Sequence, residues 1–141
     1  MVAKKVKSFG VIPIFKDSHG YKILIVKNNQ GGHWGLPKGT PEINEKPIQT
    51  AQRELFEETG IKDVHIDQKH KFSENYSFEM AGINYNKTNI YYTCFVDTMI
   101  KRSNLDEIDE TKWVSVEDAK KILTHDSAIS VISRLENYLI A

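Results

Sequence analysis

Residues 39–61 read GTPEINEKPIQTAQRELFEETGI, and the rest of the chain is interpreted around this stretch. Its apolar residues recur near helical spacing, which predicts a helix with one buried stripe made of Ile48, Ala51, Leu55 and, as a further candidate, Phe56. Gly60 follows as the predicted end of the helix, because glycine readily takes the left-handed conformation just past a helix terminus.

Three carboxylates crowd the end of this predicted helix. Glu54, Glu57 and Glu58 stand at positions i, i+3 and i+4, so they share one face. Their mutual repulsion costs roughly 0.2–0.5 kcal/mol per pair, and the negative end of the helix dipole adds roughly 0.3–1 kcal/mol for each. Arg53 can relieve Glu57 at i+4, but one cation does not neutralise three anions. The cluster by itself permits two interpretations: a solvated helix face or a site for a hard cation such as Mg2+, which binds oxygen ligands.

The longer pattern favours the cation site. Gly39 is followed by five residues and Glu45, then by seven residues and Arg53-Glu54, an apolar residue, one further residue, Glu57-Glu58, one residue, Gly60 and an apolar residue. This pattern resembles the Nudix box at every fixed position. The resemblance implies an α/β protein with the Nudix fold, a mixed β-sheet in an α/β/α sandwich, formed as a single domain over residues 1–141.

The resemblance also implies roles for named residues. Water attacks a phosphorus of a nucleoside diphosphate derivative, with Mg2+ as the expected cofactor and Mn2+ as the alternative. The implied metal ligands are the Gly39 carbonyl, Glu54, Glu57 and Glu58, while Arg53 orients these carboxylates. A further glutamate from a later loop acts as ligand or base; we choose Glu107 in the acidic run 106–110, with Glu110 as runner-up. Whether Glu54 or Glu107 accepts the proton from water stays open.

The flanking residues resemble the asymmetrical diadenosine tetraphosphate hydrolases within this family. The likeness rests on His33-Trp34-x-x-Pro37-Lys38-Gly39 and on Lys87-Thr88-x-Ile90-Tyr91-Tyr92, followed later by Trp113. It implies that Tyr76 stacks on adenine, with Phe78 and Tyr85 as rivals for that role. It further implies substrate contacts for the side chains of Lys38, Lys87 and Tyr92. His33 is either a phosphate or ribose ligand or a plain loop histidine.

The leading functional interpretation is hydrolysis of diadenosine tetraphosphate to ATP and AMP. One alternative is an RNA 5′ pyrophosphohydrolase or an enzyme for another nucleoside-diphosphate-linked substrate, since the same Trp-x-x-Pro context occurs in enzymes that trim RNA 5′ triphosphates. A further alternative is a Nudix sensor that binds nucleotide without hydrolysing it. The retained glutamates argue against a pure sensor, because the cluster weakens its own helix.

Composition narrows the class of protein. The chain has 141 residues, 40% of them hydrophobic and 27% charged, which is typical of a globular domain. Its net charge is zero, so no overall field favours a long polynucleotide or an anionic membrane. Cys94 is the only cysteine, which excludes an internal disulfide. We therefore expect a cytoplasmic monomer or weak dimer that binds small nucleotides, and nucleic acid only as an RNA 5′ end.

The remaining strands and helices are predicted from the spacing of apolar residues and from the residues that typically begin or end such elements. Strands are expected at residues 9–15, 21–26, 64–72, 90–96 and 113–114, the first two antiparallel to each other. Pro13 predicts that the first strand lies at a sheet edge or contains a bulge. Ser115 and Asp118 form a predicted capping box for a helix to about Leu123. A last helix begins at Asp126 and carries an apolar stripe of Ile129, Ile132, Leu135, Tyr138 and Leu139.

Overall fold

The computed structural model describes residues 2–102 and 107–140. Within them one seven-stranded sheet is flanked by three helices. The elements in chain order are β1 (Lys4–Asp17), β2 (Gly20–Asn28), β3 (Trp34–Gly35), β4 (Lys38–Gly39), α1 (Pro47–Thr59), β5 (Ile66–Met80), β6 (Ile83–Phe95), β7 (Ile108–Ser115), α2 (Val116–Ile122) and α3 (Asp126–Ile140).

The sheet is mixed, as the sequence predicted. Its order is β3-β2-β1-β6-β5, with β4 paired to β1 and β7 paired to β2. β1 and β6 run parallel, whereas β1 and β2 are antiparallel as predicted. β1 is therefore the central strand, and it brings the loop before α1 next to the long β5–β6 hairpin.

Alternating side chains of β1 and β2 build a core on each face of the sheet. Val11 and Leu24 pack with Ala51 and Leu55 of α1. On the opposite face the alternate residues pack against α2 and α3; they are Ile12, Ile14, Ile23 and Ile25. Helices thus cover both faces, and the predicted α/β/α sandwich is confirmed.

Helix α1 ends where the sequence predicted. Gly60 has a φ of 80°, in the left-handed region, and its N–H donates to the Phe56 carbonyl at 2.8 Å. Phe56 itself does not belong to the buried stripe, because its position lies about 100° around the helix from Leu55. Its side chain is exposed and lies near the cations of Lys62 and Arg102.

The β5–β6 hairpin is much longer than predicted. Its outer half carries Tyr76, Phe78 and Met80 at every second position of β5, an alternation that the strand prediction did not use. Side chains also bond across the two strands: Asn75 Nδ2 donates to Asn86 Oδ1 at 3.0 Å, and Asn86 Nδ2 donates back at 3.1 Å. These cross-strand amide pairs add to the stability of the outer hairpin, whose apolar side chains Phe78 and Met80 are exposed.

Pro13 does not mark a sheet edge, and that prediction was wrong. It lies in the central strand, between the residues of β1 that pair with β4 and those that pair with β2. β7 is also longer than the predicted two residues and pairs with β2 along most of its length. Among the described residues, no helix is both long and apolar enough to cross a membrane.

The two C-terminal helices begin close to their predicted starts. The Asp118 N–H donates to Ser115 Oγ at 3.1 Å, which confirms the predicted N-cap of α2. Ile132 and Leu135 of α3 are fully buried against the sheet, whereas Tyr138 is exposed. The turn between α2 and α3 is tied to the loop before α1, because Trp34 N–H donates to Thr124 Oγ1 at 2.9 Å and Thr124 N–H donates to the Trp34 carbonyl at 3.2 Å.

Candidate active site

Arg53 lies at the centre of the acidic face of α1. Its Nη1 donates to Glu54 Oε1 at 2.8 Å and to Glu57 Oε2 at 3.1 Å. Its Nη2 donates to the carbonyl of Thr40 at 3.0 Å. The guanidinium therefore fixes two carboxylates of the cluster relative to the loop before α1, which is the orienting geometry that the sequence predicted.

Glu45 holds Arg53 from the other side. Its carboxylate accepts from Arg53 Nε at 2.8 Å and from Nη2 at 3.0 Å, a bidentate pair with strong directional preference. The bond from Arg53 lowers the pKa of Glu45 to about 2, and Glu45 in turn raises the pKa of Arg53. The spacing between Glu45 and Arg53 in the pattern thus has a physical explanation, which the sequence alone left unassigned.

Gly39 lies directly against the Glu54 carboxylate. A Cβ placed on Gly39 would lie only 2.0 Å from Glu54 Cδ and 2.2 Å from its Oε1. β4 pairs Gly39 with Phe9 of the central strand, so the backbone cannot move away without breaking the sheet. Only glycine permits this approach, which leaves the Gly39 backbone next to a carboxylate.

Glu54 and Glu58 form a coupled acid pair. The two carboxyl groups lie near enough for each to influence the pKa of the other. Burial, with the nearby Glu54 charge, raises the pKa of Glu58 to about 8, although the Lys38 charge opposes the rise. Burial likewise raises the pKa of Glu54. A positive charge brought to the pair would favour the ionised form of both carboxyl groups.

These residues fit a hard divalent cation. The carboxylates of Glu54 and Glu58 and the backbone at Gly39 supply the oxygen donors that Mg2+ prefers. Glu57 lies on the same helical face but is half exposed and bound to Arg53. Across residues 2–102 and 107–140, no three Asp, Glu, His or Cys side chains yet surround one point closely enough to hold an ion.

Two adjoining cavities open beside this pair. The acidic cavity, of about 80 Å3, is lined by Glu58 and Glu107. The aromatic cavity, of about 110 Å3, is lined by Tyr76 and Tyr91. The two share a wall of four residues: Asn28, Gly35, Leu36 and Lys38.

The structure brings the predicted Glu107 to the same cavity as Glu58. The Glu107 carbonyl accepts from the Asn29 N–H at 3.0 Å, which ties this turn to the end of β2. The runner-up Glu110 lies on β7, 3.8 Å from Lys112, and does not line the cavity. Asp106, the first residue of the acidic run, lies outside the described residues.

The β5–β6 hairpin forms the wall of the aromatic cavity. Tyr76 and Lys87 are direct cross-strand partners, as are Glu74 and Asn89. Burial, and then the charge of Lys38, lower the pKa of Lys87. The like charges of Lys38 and Lys87, from distant parts of the chain, therefore repel each other, and an anion bound between them would relieve this repulsion.

His33, predicted as a substrate ligand, lines the aromatic cavity from the loop before α1. Its ring lies 5.2 Å from that of His125, which also lines the cavity and had been given no role. Trp34 lies beside them, with Lys112 Nζ at 5.3 Å from its ring centroid. The loop residues singled out from the sequence are thus gathered at one cavity.

Tyr92 is not brought to the cavities. It is 5% exposed and packs in the core beneath α1. Adjacent residues of a strand point to opposite faces, so its neighbour Tyr91 lies on the cavity side. We leave Tyr92 out of the site described below.

Glu74 is a cavity residue that the sequence analysis missed. It is 9% exposed, and its Oε1 accepts from Asn89 Nδ2 at 2.7 Å and from the Tyr91 hydroxyl at 3.3 Å. The segment around it, Ser73–Asn75, is polar in sequence, and that pattern gave no signal of burial. Only the pairing of Glu74 with Asn89 on the next strand shows that its side chain is buried at the cavity.

Phe78 and Tyr85, the rivals of Tyr76, lie beyond the cavity on the same hairpin. Their rings stack on each other at 5.1 Å, and the Phe78 ring lies 6.0 Å from that of Tyr76. Tyr76 alone of the three lines the cavity. The three rings form an aromatic strip that runs outward from it.

Comparisons with known proteins agree with this architecture. The NUDIX domain family model matches residues 4–135. The C. elegans Ap4A hydrolase, solved as a binary complex, is 25% identical with a TM-score of 0.81, covering 96% of this chain and 98% of that one. The NUDIX domain of Shewanella oneidensis NrtR, solved with ADP ribose, shares the fold at 19% identity and a TM-score of 0.77, over 99% of this chain and 90% of that one.

An RNA pyrophosphohydrolase of Bartonella clarridgeiae is 30% identical over 105 residues, which are 64% of this chain and 61% of the relative. The chain spans between 19% and 61% of the length of the first curated relatives that it matches. The family match extends over nearly all of the chain and includes the glutamate helix, the glycine before it and the hairpin wall. The chain therefore belongs to the NUDIX domain family.

Proposed function

We propose that this chain is a divalent-metal-dependent hydrolase that splits diadenosine tetraphosphate into ATP and AMP by attack of water on phosphorus. The observation that carries the proposal is the shared wall of the two cavities. Lys38 lines both, so an acid pair and an aromatic recognition wall lie on either side of one cationic residue. A nucleotide anhydride needs these three features next to one another.

The acid side would hold Mg2+ or Mn2+. Glu54, Glu58 and the Gly39 carbonyl are the proposed ligands, joined by Glu57 from the same face and by Glu107 across the acidic cavity. A divalent ion in such a site neutralises phosphate charge and lowers the pKa of bound water. Arg53 keeps the carboxylates in place through its bonds to Glu45 and Glu54.

The other residues bind and orient the substrate. Lys38 and Lys87 bind phosphate oxygens, which removes the repulsion between the two ammonium groups. Tyr76 stacks on one adenine, and His33 contacts phosphate or ribose at the cavity rim. The proton of the attacking water passes to Glu54 or to Glu107. Arg53 Nη1 occupies Glu54 Oε1 at 2.8 Å, whereas Glu107 lines the acidic cavity, which favours Glu107 as the acceptor.

An RNA 5′ pyrophosphohydrolase is the second candidate. The aromatic strip of Tyr76, Phe78 and Tyr85 supports it, because successive rings are suited to successive bases of a single strand. The Bartonella relative named an RNA pyrophosphohydrolase supports it as well. A sensor that binds without hydrolysis is the third candidate, and the retained acid pair argues against it.

A direct competition separates the three candidates. Purified protein with Mg2+ or Mn2+ is given diadenosine tetraphosphate and a 5′-triphosphorylated oligoribonucleotide, and kcat/KM is measured for each. We expect the dinucleotide to be preferred and to yield ATP and AMP. Preference for the RNA would overturn the substrate assignment, and binding without turnover of either substrate would overturn the hydrolase assignment.

A further inference from the structure

One acceptor in the aromatic cavity has no partner. Glu74 Oε1 accepts two hydrogen bonds, but Oε2 is buried and accepts none from the described residues. A buried carboxylate oxygen left in this state is strongly unfavourable. Glu74 is 9% exposed and lines the cavity, although Oε2 itself is covered, so a molecule bound there must displace the covering atoms to supply the bond that Oε2 lacks.

The surroundings of Glu74 select the type of molecule. Tyr76 lies two residues along the strand, on the same side of the sheet, and both side chains line the cavity. Asn89 Nδ2 donates to Glu74 Oε1 at 2.7 Å, which fixes the carboxylate beside the aromatic ring. Leu36 and Ala128 contribute apolar surface to the same cavity, and Lys38 lies at its shared wall. A planar group with N–H donors, attached to a phosphate, matches this combination.

We propose that Glu74 determines base specificity, with its Oε2 accepting a hydrogen bond from the exocyclic amino group of an adenine stacked on Tyr76. This inference rests on the proposed function, because it assigns the base of the same substrate. Hypoxanthine carries a carbonyl oxygen where adenine carries the amino group. That oxygen would face the carboxylate, two acceptors in contact, so the site rejects it.

Asn28 adds a second polar group to this cavity. Its Oδ1 is also buried without a hydrogen-bond partner among the described residues, and the side chain lines both cavities. An amide there can accept from the second amino hydrogen or contact the ring nitrogens. Lys87 does not satisfy Glu74 Oε2, although its charge and that of Glu74 influence each other.

Glu74→Gln is expected to reverse the preference for adenine over hypoxanthine, and not merely to weaken binding. The bonds from Asn89 and Tyr91 would retain the glutamine carbonyl at the position of Oε1. The amide NH2 then occupies the position of Oε2 and offers donors where the wild type offers an acceptor. The variant is expected to disfavour adenine and to favour hypoxanthine, with little change in shape.

The experiment has a binding arm and a turnover arm. AMP and IMP are titrated calorimetrically without metal, and kcat/KM is measured with Mg2+ for diadenosine and diinosine tetraphosphate. We expect the wild type to prefer the adenine ligand by roughly 10- to 100-fold, the range for a hydrogen bond to a charged group. Glu74→Gln should abolish or invert that preference. Glu79→Gln, an exposed carboxylate further along β5, is the matched control and should keep it.

The two arms fail independently. Equal affinity of the wild type for AMP and IMP, or the same ratio in Glu74→Gln, overturns the inference even if hydrolysis is robust. Discrimination between AMP and IMP without any turnover would support the inference and overturn the proposed hydrolase. Thermal unfolding of each variant shows whether a lost preference reflects a lost fold.

Discussion

The acidic face of α1 and the β5–β6 hairpin wall are built in different ways. On α1, the charged side chains come from one short stretch, and Arg53 connects Glu45, Glu54 and Glu57 directly. On the hairpin, Glu74 and Tyr76 meet Asn89 and Lys87 only through strand pairing. The first region is specified locally, whereas the second depends on the register of a sheet. The proposed chemistry and the proposed recognition therefore have separate structural origins.

The largest expected effect tests the acidic face. Glu58→Gln or Glu57→Gln should lower kcat/KM for diadenosine tetraphosphate by roughly 1,000-fold or more, because each removes a charge that would hold the metal. Activity is measured under saturating Mg2+, with Glu79→Gln as the control. Turnover close to that of the wild type in either variant would show that the substituted carboxylate does not hold the catalytic metal.

A second prediction concerns the glycine before α1. Gly39→Ala places a methyl group 2.0 Å from Glu54 Cδ, so the carboxylate must move. Since a displacement of about 1 Å can cost on the order of 100-fold in rate, we expect kcat to fall by about that factor. Gly35→Ala is the matched control, because its added Cβ meets no atom within 4 Å and should lose far less activity. Equal losses in both variants would contradict the role of close approach.

Tyr76 provides a smaller effect on the recognition side. Tyr76→Ala should raise KM for the dinucleotide more than it lowers kcat, since stacking on one base is worth ~1–3 kcal/mol. Phe78→Ala, outside the cavity, should change KM less. An unchanged KM in Tyr76→Ala would move the stacking role elsewhere. Equal effects of both variants would instead favour a substrate that extends along the aromatic strip.

The smallest expected effect is on thermal stability. Its dependence on pH has opposite signs for Glu58 of α1 and for Glu45, which precedes the helix. The folded protein raises the pKa of Glu58 from 4.5 to about 8, so its stabilising contribution is complete below 4.5 and is lost as pH rises to about 8. The pKa of Glu45 is lowered to about 2, so its contribution is present above 4.5 and is lost as pH falls. Metal-free protein should therefore lose a few degrees in Tm between about pH 5 and pH 8.

Added Mg2+ should restore that loss at about pH 8 and have less effect at about pH 5, where protons compete for the acid pair. Differential scanning calorimetry with and without Mg2+ measures both. Glu58→Gln should flatten the pH dependence on the alkaline side. A slope unchanged by this substitution would assign the titration to other groups.

The two regions also differ in how far the sequence predicted them. The end of α1 at Gly60 and the shared face of Glu54 and Glu58 follow from helical spacing, which is a local property. Gly39 was selected by its place in the pattern, and its close approach to Glu54 then gave the physical reason. The roles of these residues in catalysis stay predictions.

The hairpin was harder to predict because its faces depend on pairing. Tyr92 was chosen from its position in a motif, but strand alternation places Tyr91 on the cavity side. Glu74 lies in a polar segment, and only its pairing with Asn89 shows that it is buried. Pro13 predicted an edge or a bulge because proline has no N–H to donate, which is known from the residue alone. The change of partner strand around Pro13, from β4 to β2, depends on the rest of the sheet and could not be read from the local sequence.

The register irregularity in β5 has a consequence for how this protein can acquire new ligands. Between the pairs Asp67–Thr93 and Phe72–Tyr91, four residues of β5 lie opposite one residue of β6. The register of the outer hairpin therefore differs from that of the part that packs in the core. Residues 68–71 form the point at which we expect the length of β5 to be variable without a change in α1. We expect insertions or deletions at residues 68–71 to change the ligand preference of the hairpin with the least disturbance of the rest of the fold.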